Sequence, residues 1–293
     1  MIYKEFILRS REGEKLRADI RYEASGVRKP VILFLHGFKG FKDWGPFPVI
    51  RERLAAAGFI SIGFNSSHNG VGDDLKSFTE LDRFAENTIS RELGEIGDVI
   101  DGIVQLESIP IEANEINNDA IGLHGHSRGA SAIILEAQRH RVVRAAAAWA
   151  PPIRFHRYTD GLHDQWKKKG YIEIENARTG QIMRLNLSLL EDIEQHEAEF
   201  DVLAAAKMLT SQEKGLLLVA GSEDLTVKVE EPQSIYEAAM KQFAEIHIIP
   251  RTGHTFGAEH PKKDIPPPME TALGLTINFF QKYLVTHPIP SPE

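Results

Sequence analysis

The sequence predicts one α/β domain built on a doubly wound, mostly parallel sheet, with a lid insertion after the sixth strand. Three observations lead there. Short, nearly continuous apolar runs recur at 31–35, 59–64, 120–123, 145–149, 216–220 and 246–249, as expected of strands buried on both faces. Segments of helical period lie between them or follow them, at 47–57, 88–106, 130–139, 232–243 and 269–284, and such alternation implies right-handed crossovers onto one sheet. A chain of 293 residues is long enough for one large domain of this kind with an insertion.

Taken in order, residues 3–8 and 15–22 flank the turn-like Arg11-Glu12-Gly13-Glu14 and read as an antiparallel hairpin leading into the sheet. The runs at 31–35 and 145–149 are then the third and sixth strands. Between 150 and 215 the alternation lapses. Segments 171–175 and 181–185 can pair around Asn176-Ala177-Arg178-Thr179-Gly180, and one helix is expected over 189–207. Residues 152–210 are therefore read as a lid, 1–151 and 211–287 as the core, and 288–293 as a loose tail. In the hairpin, Ile172, Ile174, Met183, Leu185 and Leu187 alternate with polar residues, which gives it one apolar face. That face is expected to wall a substrate pocket, with Met183 touching the substrate; packing on the domain body is the other reading of the same pattern. The acidic run at 191–195 is expected to be a solvated helix face.

Composition narrows the function classes. A net charge of -8 argues against a nucleic-acid partner. The chain has no cysteine, which removes disulfides, thiolate nucleophiles and cysteine metal sites. No apolar stretch approaches membrane-spanning length, and charges break up the first 14 residues, so neither a membrane partner nor an export signal is expected and the cytoplasm is the default compartment.

Four motifs carry the chemistry, each just past a predicted strand. Gly125-His126-Ser127-Arg128-Gly129 fits Gly-x-Ser-x-Gly between a strand and a helix. Small residues either side of the serine let strand and helix approach, and the hydroxyl sits at a helix N-terminus that favours developing negative charge. His36-Gly37-Phe38-Lys39-Gly40 can aim backbone N–H groups at the same point. Gly221-Ser222-Glu223-Asp224 offers a carboxylate, with Asp224 favoured and Glu223 its rival; Thr252-Gly253-His254-Thr255-Phe256 offers an imidazole. His124 and His126, two residues apart, could suggest a metal pair, but no third ligand is in sight and no metal is expected. Gly70-Val71-Gly72-Asp73-Asp74 lacks the ending of a phosphate loop.

With these motifs placed, the chain resembles the α/β-hydrolase superfamily over nearly its whole length. The resemblance implies the chain order serine, acid, histidine. Of the 12 histidines only His247, His254, His260 and His287 follow Asp224. His247 lies in a strand, His260 in a polar loop and His287 in the tail, which leaves His254. The implied site is a Ser127, Asp224, His254 triad, with an oxyanion hole from the N–H groups of Phe38 and Arg128 and substrate contacts from Gly37, His126 and Met183. More narrowly, the stretch from His36 through Trp44, the segment from Arg178 to Met183 and the lid hairpin look like the dienelactone-hydrolase, prolyl-oligopeptidase-like and cinnamoyl or feruloyl esterase groups. The chain departs from the first in having no cysteine nucleophile and from the second in having no room for a propeller. The implied activity is a serine carboxylesterase acting on small esters, short-chain or aromatic, through an acyl-enzyme without a cofactor. Peptidase or amidase action by the same triad is the alternative, and a non-catalytic binding protein is the alternative of another class. A homodimer is the one assembly left open.

Overall fold

The computed structural model describes residues 1–177 and 179–286; Arg178, His287 and the expected tail at 288–293 lie outside the described residues. An eight-stranded sheet forms the centre, in the order β1-β2-β4-β3-β5-β6-β9-β10. The hairpin β1 (Ile2–Arg9) and β2 (Lys15–Tyr22) joins it antiparallel through β4 (Ile60–Asn65), and β3 (Lys29–Leu35), β5 (Ile116–His126), β6 (Val143–Trp149), β9 (Gly215–Gly221) and β10 (Ala244–Ile249) run parallel. The central strands are the apolar runs of the sequence, and every residue of β4 and β9 is buried.

Helices cover the sheet. α1 (Phe47–Ala56) is joined to α9 (Pro267–Phe280) by Arg53–Glu270. α3 (Ile89–Gln105), α4 (Arg128–Ala137), α7 (Val202–Ser211) and α8 (Glu230–Ala238) pack in succession against one another. The expected helix over 269–284 ends earlier and is continued by a π-helical turn, Gln281–Thr286. The chain winds outward from β3 to β4 and then crosses back to β5 on the other side of β3. The strand order therefore reverses between β3 and β5, where open α/β sheets bind ligands. Among the described residues no helix is long and apolar enough to cross a membrane.

The interval 152–210 differs from expectation in three ways. The helix expected over 189–207 is two helices, α6 (Leu187–Gln195) and α7, broken at a turn before Asp201, whose carboxylate caps α7 through the N–H groups of Leu203 and Ala204. Helix α7 packs on α4 and α8, so it belongs to the helical layer and not to a lid. A further helix, α5 (Asp160–Lys169), precedes the hairpin β7 (Tyr171–Asn176) and β8 (Gln181–Asn186).

Nor is the acidic run only a solvated face. Asp192 accepts from the Ser90 N–H at the start of α3, where a helix N-terminus favours an anion, and Glu194 pairs with His163 and Lys167 of α5. The hairpin pairs Ile174 with Met183 and Ile172 with Leu185, and β8 packs against the short α2 (Leu81–Ala85). Met183 is 0% exposed. It belongs to the buried apolar core, which fits the packing reading of the alternation, a pattern that marks a covered face without saying what covers it.

His124 is fully enclosed on β5 between Phe34 and Trp149, and neither ring nitrogen has a hydrogen-bond partner. Burial holds it far below its usual range, at about 3, with His126 acting in the same direction.

Two outcomes follow from this packing. Met183→Ala should cost about 2–5 kcal/mol in urea unfolding and leave the site's chain-length preference unchanged, as a buried truncation does. His124 is neutral in the fold but takes up a proton in the unfolded chain below about pH 6.5, so it contributes stability above that pH that is lost on acidification toward its folded value, by about 1.4 kcal/mol per pH unit. His124→Leu should flatten unfolding free energy against pH between 6 and 4, and superimposable slopes for variant and parent would refute a dry, neutral His124.

Candidate active site

Ser127 follows the last residue of β5 and precedes the first of α4. Its backbone has φ 56° and ψ -128°, a conformation that costs about 1–3 kcal/mol for a residue with a side chain and persists only where the surroundings impose it. Here the surroundings are backbone. A Cβ on Gly125 would stand 2.6 Å from the Gly129 carbonyl oxygen, and a Cβ on Gly129 would stand 2.3 Å from that of His36. The glycine spacing is thus a requirement of strand, helix and neighbouring turn meeting at van der Waals distance.

A chain of hydrogen bonds leads away from the serine. Ser127 Oγ lies 2.9 Å from His254 Nε2, and His254 Nδ1 lies 2.8 Å from Asp224 Oδ2. A neutral imidazole that donates from Nδ1 and accepts the serine hydroxyl at Nε2 satisfies both contacts. The other oxygen of Asp224 accepts from the N–H groups of Thr226 and Val227 at 2.8 and 2.9 Å. Burial would raise this carboxyl, but His254 and those two N–H groups outweigh it and hold Asp224 below its usual range. Glu223 is exposed and points no carboxylate into this chain of bonds, though its N–H donates to Thr252 and so ties the acid turn to the histidine turn. His126 has a structural partner that the sequence does not announce. Its Nε2 bonds the His254 carbonyl at 2.8 Å, with the rings 4.8 Å apart. It therefore braces the histidine turn.

The turn after β3 closes the site. A Cβ on Gly37 would lie 3.0 Å from that of Ser127 and 2.9 Å from the His126 carbonyl, so residue 37 packs its backbone directly on the serine. Among the described residues nothing accepts a hydrogen bond from the N–H of Phe38 or of Arg128. His36 donates from Nδ1 to the Gly37 carbonyl, and desolvation lowers its affinity for a second proton.

Further along the turn, the Lys42 ammonium is buried between Asp19 of β2 and Asp43, at 2.7 and 2.6 Å, and Arg51 of α1 donates to the same Asp19 oxygen at 2.7 Å. Burial alone would raise Asp19; Arg51 and Lys42 overcome it and bring the carboxyl to about 2. Removing one member of such a group strands the others in a low dielectric, which is why it holds the turn to the sheet. Gly45 N–H donates to His260 Nδ1 at 3.0 Å, linking this turn to the histidine loop. Sequence reading missed Asp19, which sits mid-strand with no local mark, and Phe84 and Glu92, whose contacts with Phe38 and Arg128 are a product of the fold.

No protein-family model matches the chain, and no curated protein matches it by sequence. Solved structures do. The α/β hydrolase GrgF from Penicillium sp. sh18 superposes with a TM-score of 0.70 at 16% identity over 97% of this chain and 99% of its own. Est1E from Butyrivibrio proteoclasticus with ferulic acid bound gives 0.68 at 18%, over 94% and 98%. The esterase domain of a Rhodothermus marinus protein gives 0.64 at 15%, over 97% and 100%. The chain has the α/β-hydrolase fold.

The two adjacent carboxylates separate by experiment. Asp224→Asn should slow fluorophosphonate labelling of Ser127 by on the order of 10⁴, because an amide favours the wrong imidazole tautomer. Glu223→Gln should label at the parental rate. Equal losses would assign the role wrongly.

Proposed function

We propose that this protein is a serine carboxylesterase that turns over small esters through an acyl-enzyme on Ser127. The observation that carries this reading is the unbroken set of bonds from Asp224 through His254 to a half-buried serine whose backbone is strained into a strand-to-helix turn. In the first half-reaction Ser127 Oγ attacks the ester carbonyl as His254 Nε2 takes its proton. The tetrahedral oxyanion accepts from the N–H groups of Phe38 and Arg128. Collapse breaks the bond to the alcohol, which leaves with the proton from His254. Water then attacks the acyl-enzyme, gives a proton to His254, and Ser127 recovers it as the acid departs. Asp224 stays ionised throughout and stabilises the imidazolium. The sequence needs neither a metal nor an organic cofactor.

The aromatic pair beside the Phe38 N–H suits an acyl group with an aromatic or short aliphatic body. Phe38 stacks on Phe84 with ring centroids 5.5 Å apart. Tyr158, in the connection between β6 and α5, packs edge-on against Trp166 and is close enough to Arg128 to feel its charge; burial outweighs that charge and raises its hydroxyl. Est1E, similar in fold, holds ferulic acid, which supports testing aromatic esters first.

Purified protein should hydrolyse p-nitrophenyl acetate, p-nitrophenyl butyrate or methyl ferulate in preference to aminoacyl-p-nitroanilides. Ser127→Ala should lower kcat by about 10⁴ or more while leaving the melting temperature in place. A variant that retains a tenth of the parental kcat would remove Ser127 from the mechanism, and faster turnover of the anilides would make the protein an amidase.

A further inference from the structure

The two N–H groups assigned to the oxyanion belong to different elements. Phe38 lies in the turn after β3, and Arg128 opens α4. The side chains of these same two residues meet. The Arg128 guanidinium carbon lies 4.4 Å from the centroid of the Phe38 ring, and Phe84 stacks on that ring as well. Arg128 is in turn bonded through Nη2 to Glu92, in the first turn of α3. The same Glu92 oxygen accepts from Asn87 Nδ2 at 2.6 Å, and both Glu92 and Asn87 are buried. A half-buried guanidinium would normally serve a substrate carboxylate or a structural ion pair. Glu92 already neutralises the guanidinium and Phe38 covers one of its faces, which leaves little of it for an anionic ligand.

We propose that Glu92, the Arg128 side chain and the Phe38 ring form a clasp that fixes the spacing of the two oxyanion N–H donors, so that these side chains are positioning residues for the reaction although they touch no reacting atom. The proposal rests on the esterase reading above. The physical argument is one of tolerance. A donor misplaced by about 1 Å can cost 10²-fold in rate, and a strained turn facing a separate helix does not hold that tolerance by itself. A planar guanidinium laid on an aromatic ring, with its edge anchored by a buried carboxylate, restricts both partners in distance and tilt. Deleting either side chain leaves both N–H groups present but frees their separation.

The test is a double-mutant cycle on p-nitrophenyl butyrate hydrolysis, with inhibition by an aryl trifluoromethyl ketone, which forms a tetrahedral adduct on the serine, measured alongside. Arg128→Met and Phe38→Leu should each lower kcat by about 10–100-fold, within what one oxyanion donor is worth, with KM unchanged within about twofold. The double variant should be no worse than the poorer single, because the second deletion removes a contact already lost. The ketone inhibition constant should rise by the factor by which kcat falls, which a merely structural ion pair would not produce. Glu92→Gln, which keeps the shape and an acceptor, should show a smaller loss of the same kind, and melting temperatures should certify folding of each variant. Losses that multiply in the double variant would overturn the clasp, as would ketone affinities that do not move with kcat. A rise in KM at constant kcat would make Arg128 a substrate contact and refute the proposal. If the parental protein hydrolyses no ester and resists the ketone, the esterase reading has failed, and the clasp falls with it.

Discussion

The site depends on one close approach of backbone to backbone, between the turn after β3 and the turn after β5. β3 and β5 are adjacent parallel strands in a register that sets Leu35 against Gly125. The two turns therefore leave the sheet side by side, and the carbonyl of His36 lies where any side chain on residue 129 would have to go. That contact leaves Ser127 a conformation it would not choose, and presses Gly37 onto it from the other side. The strain is of order 1–3 kcal/mol and is borne by the surrounding sheet, whose central strands are almost fully buried. A nucleophile held this way has little freedom to lose on reaching a transition state.

Around this apolar frame three sets of charged groups are matched to partners. Asp19, Lys42 and Arg51 pin the turn after β3 to β2 and α1; Asp224 is satisfied by His254 and two N–H groups; Glu92 meets Arg128. Such groups add little net stability compared with apolar side chains of equal volume, but losing one partner is expensive, so they enforce a particular arrangement. His124 is the contrasting case. It sits directly below the working part of β5 with no partner and stays neutral, so its bulk fills the layer against Phe34 and Trp149 without adding a charge beneath the triad.

The segment between β6 and α7 binds to the domain from above. The Lys39 ammonium donates to the Glu175 carbonyl of the hairpin, Gln181 donates to the Phe78 carbonyl, and Asn186 donates to Glu86. Asp192 grips the start of α3, the same helix turn that carries Glu92. The segment is thus coupled to the site through the turn after β3 and through α3, while Ile172, Met183 and Leu185 of its hairpin are buried in the apolar core.

What the sequence determined by itself was whatever is local in origin. Strands buried on both faces write themselves as apolar runs, the hairpin at the N-terminus as alternation about a glycine turn, and the Gly-x-Ser-x-Gly spacing as the imprint of Gly125 and Gly129, which admit no Cβ. Chain order and strand ends then singled out Asp224 and His254, and the structure sets both within hydrogen-bonding reach of the serine system. What only the tertiary structure decided concerns partners distant in the chain. Alternation in the hairpin could not say what would cover Met183, because periodicity encodes that a face is covered and not by what. An acidic run could not say that Asp192 would meet Ser90. His126 bonds the carbonyl of a residue 128 positions away, and Asp19, Glu92 and Phe84 acquire their places near the site only when β2, α3 and α2 are packed. Those relations arise from the three-dimensional crossing of elements, for which no local pattern of residues is a sufficient record.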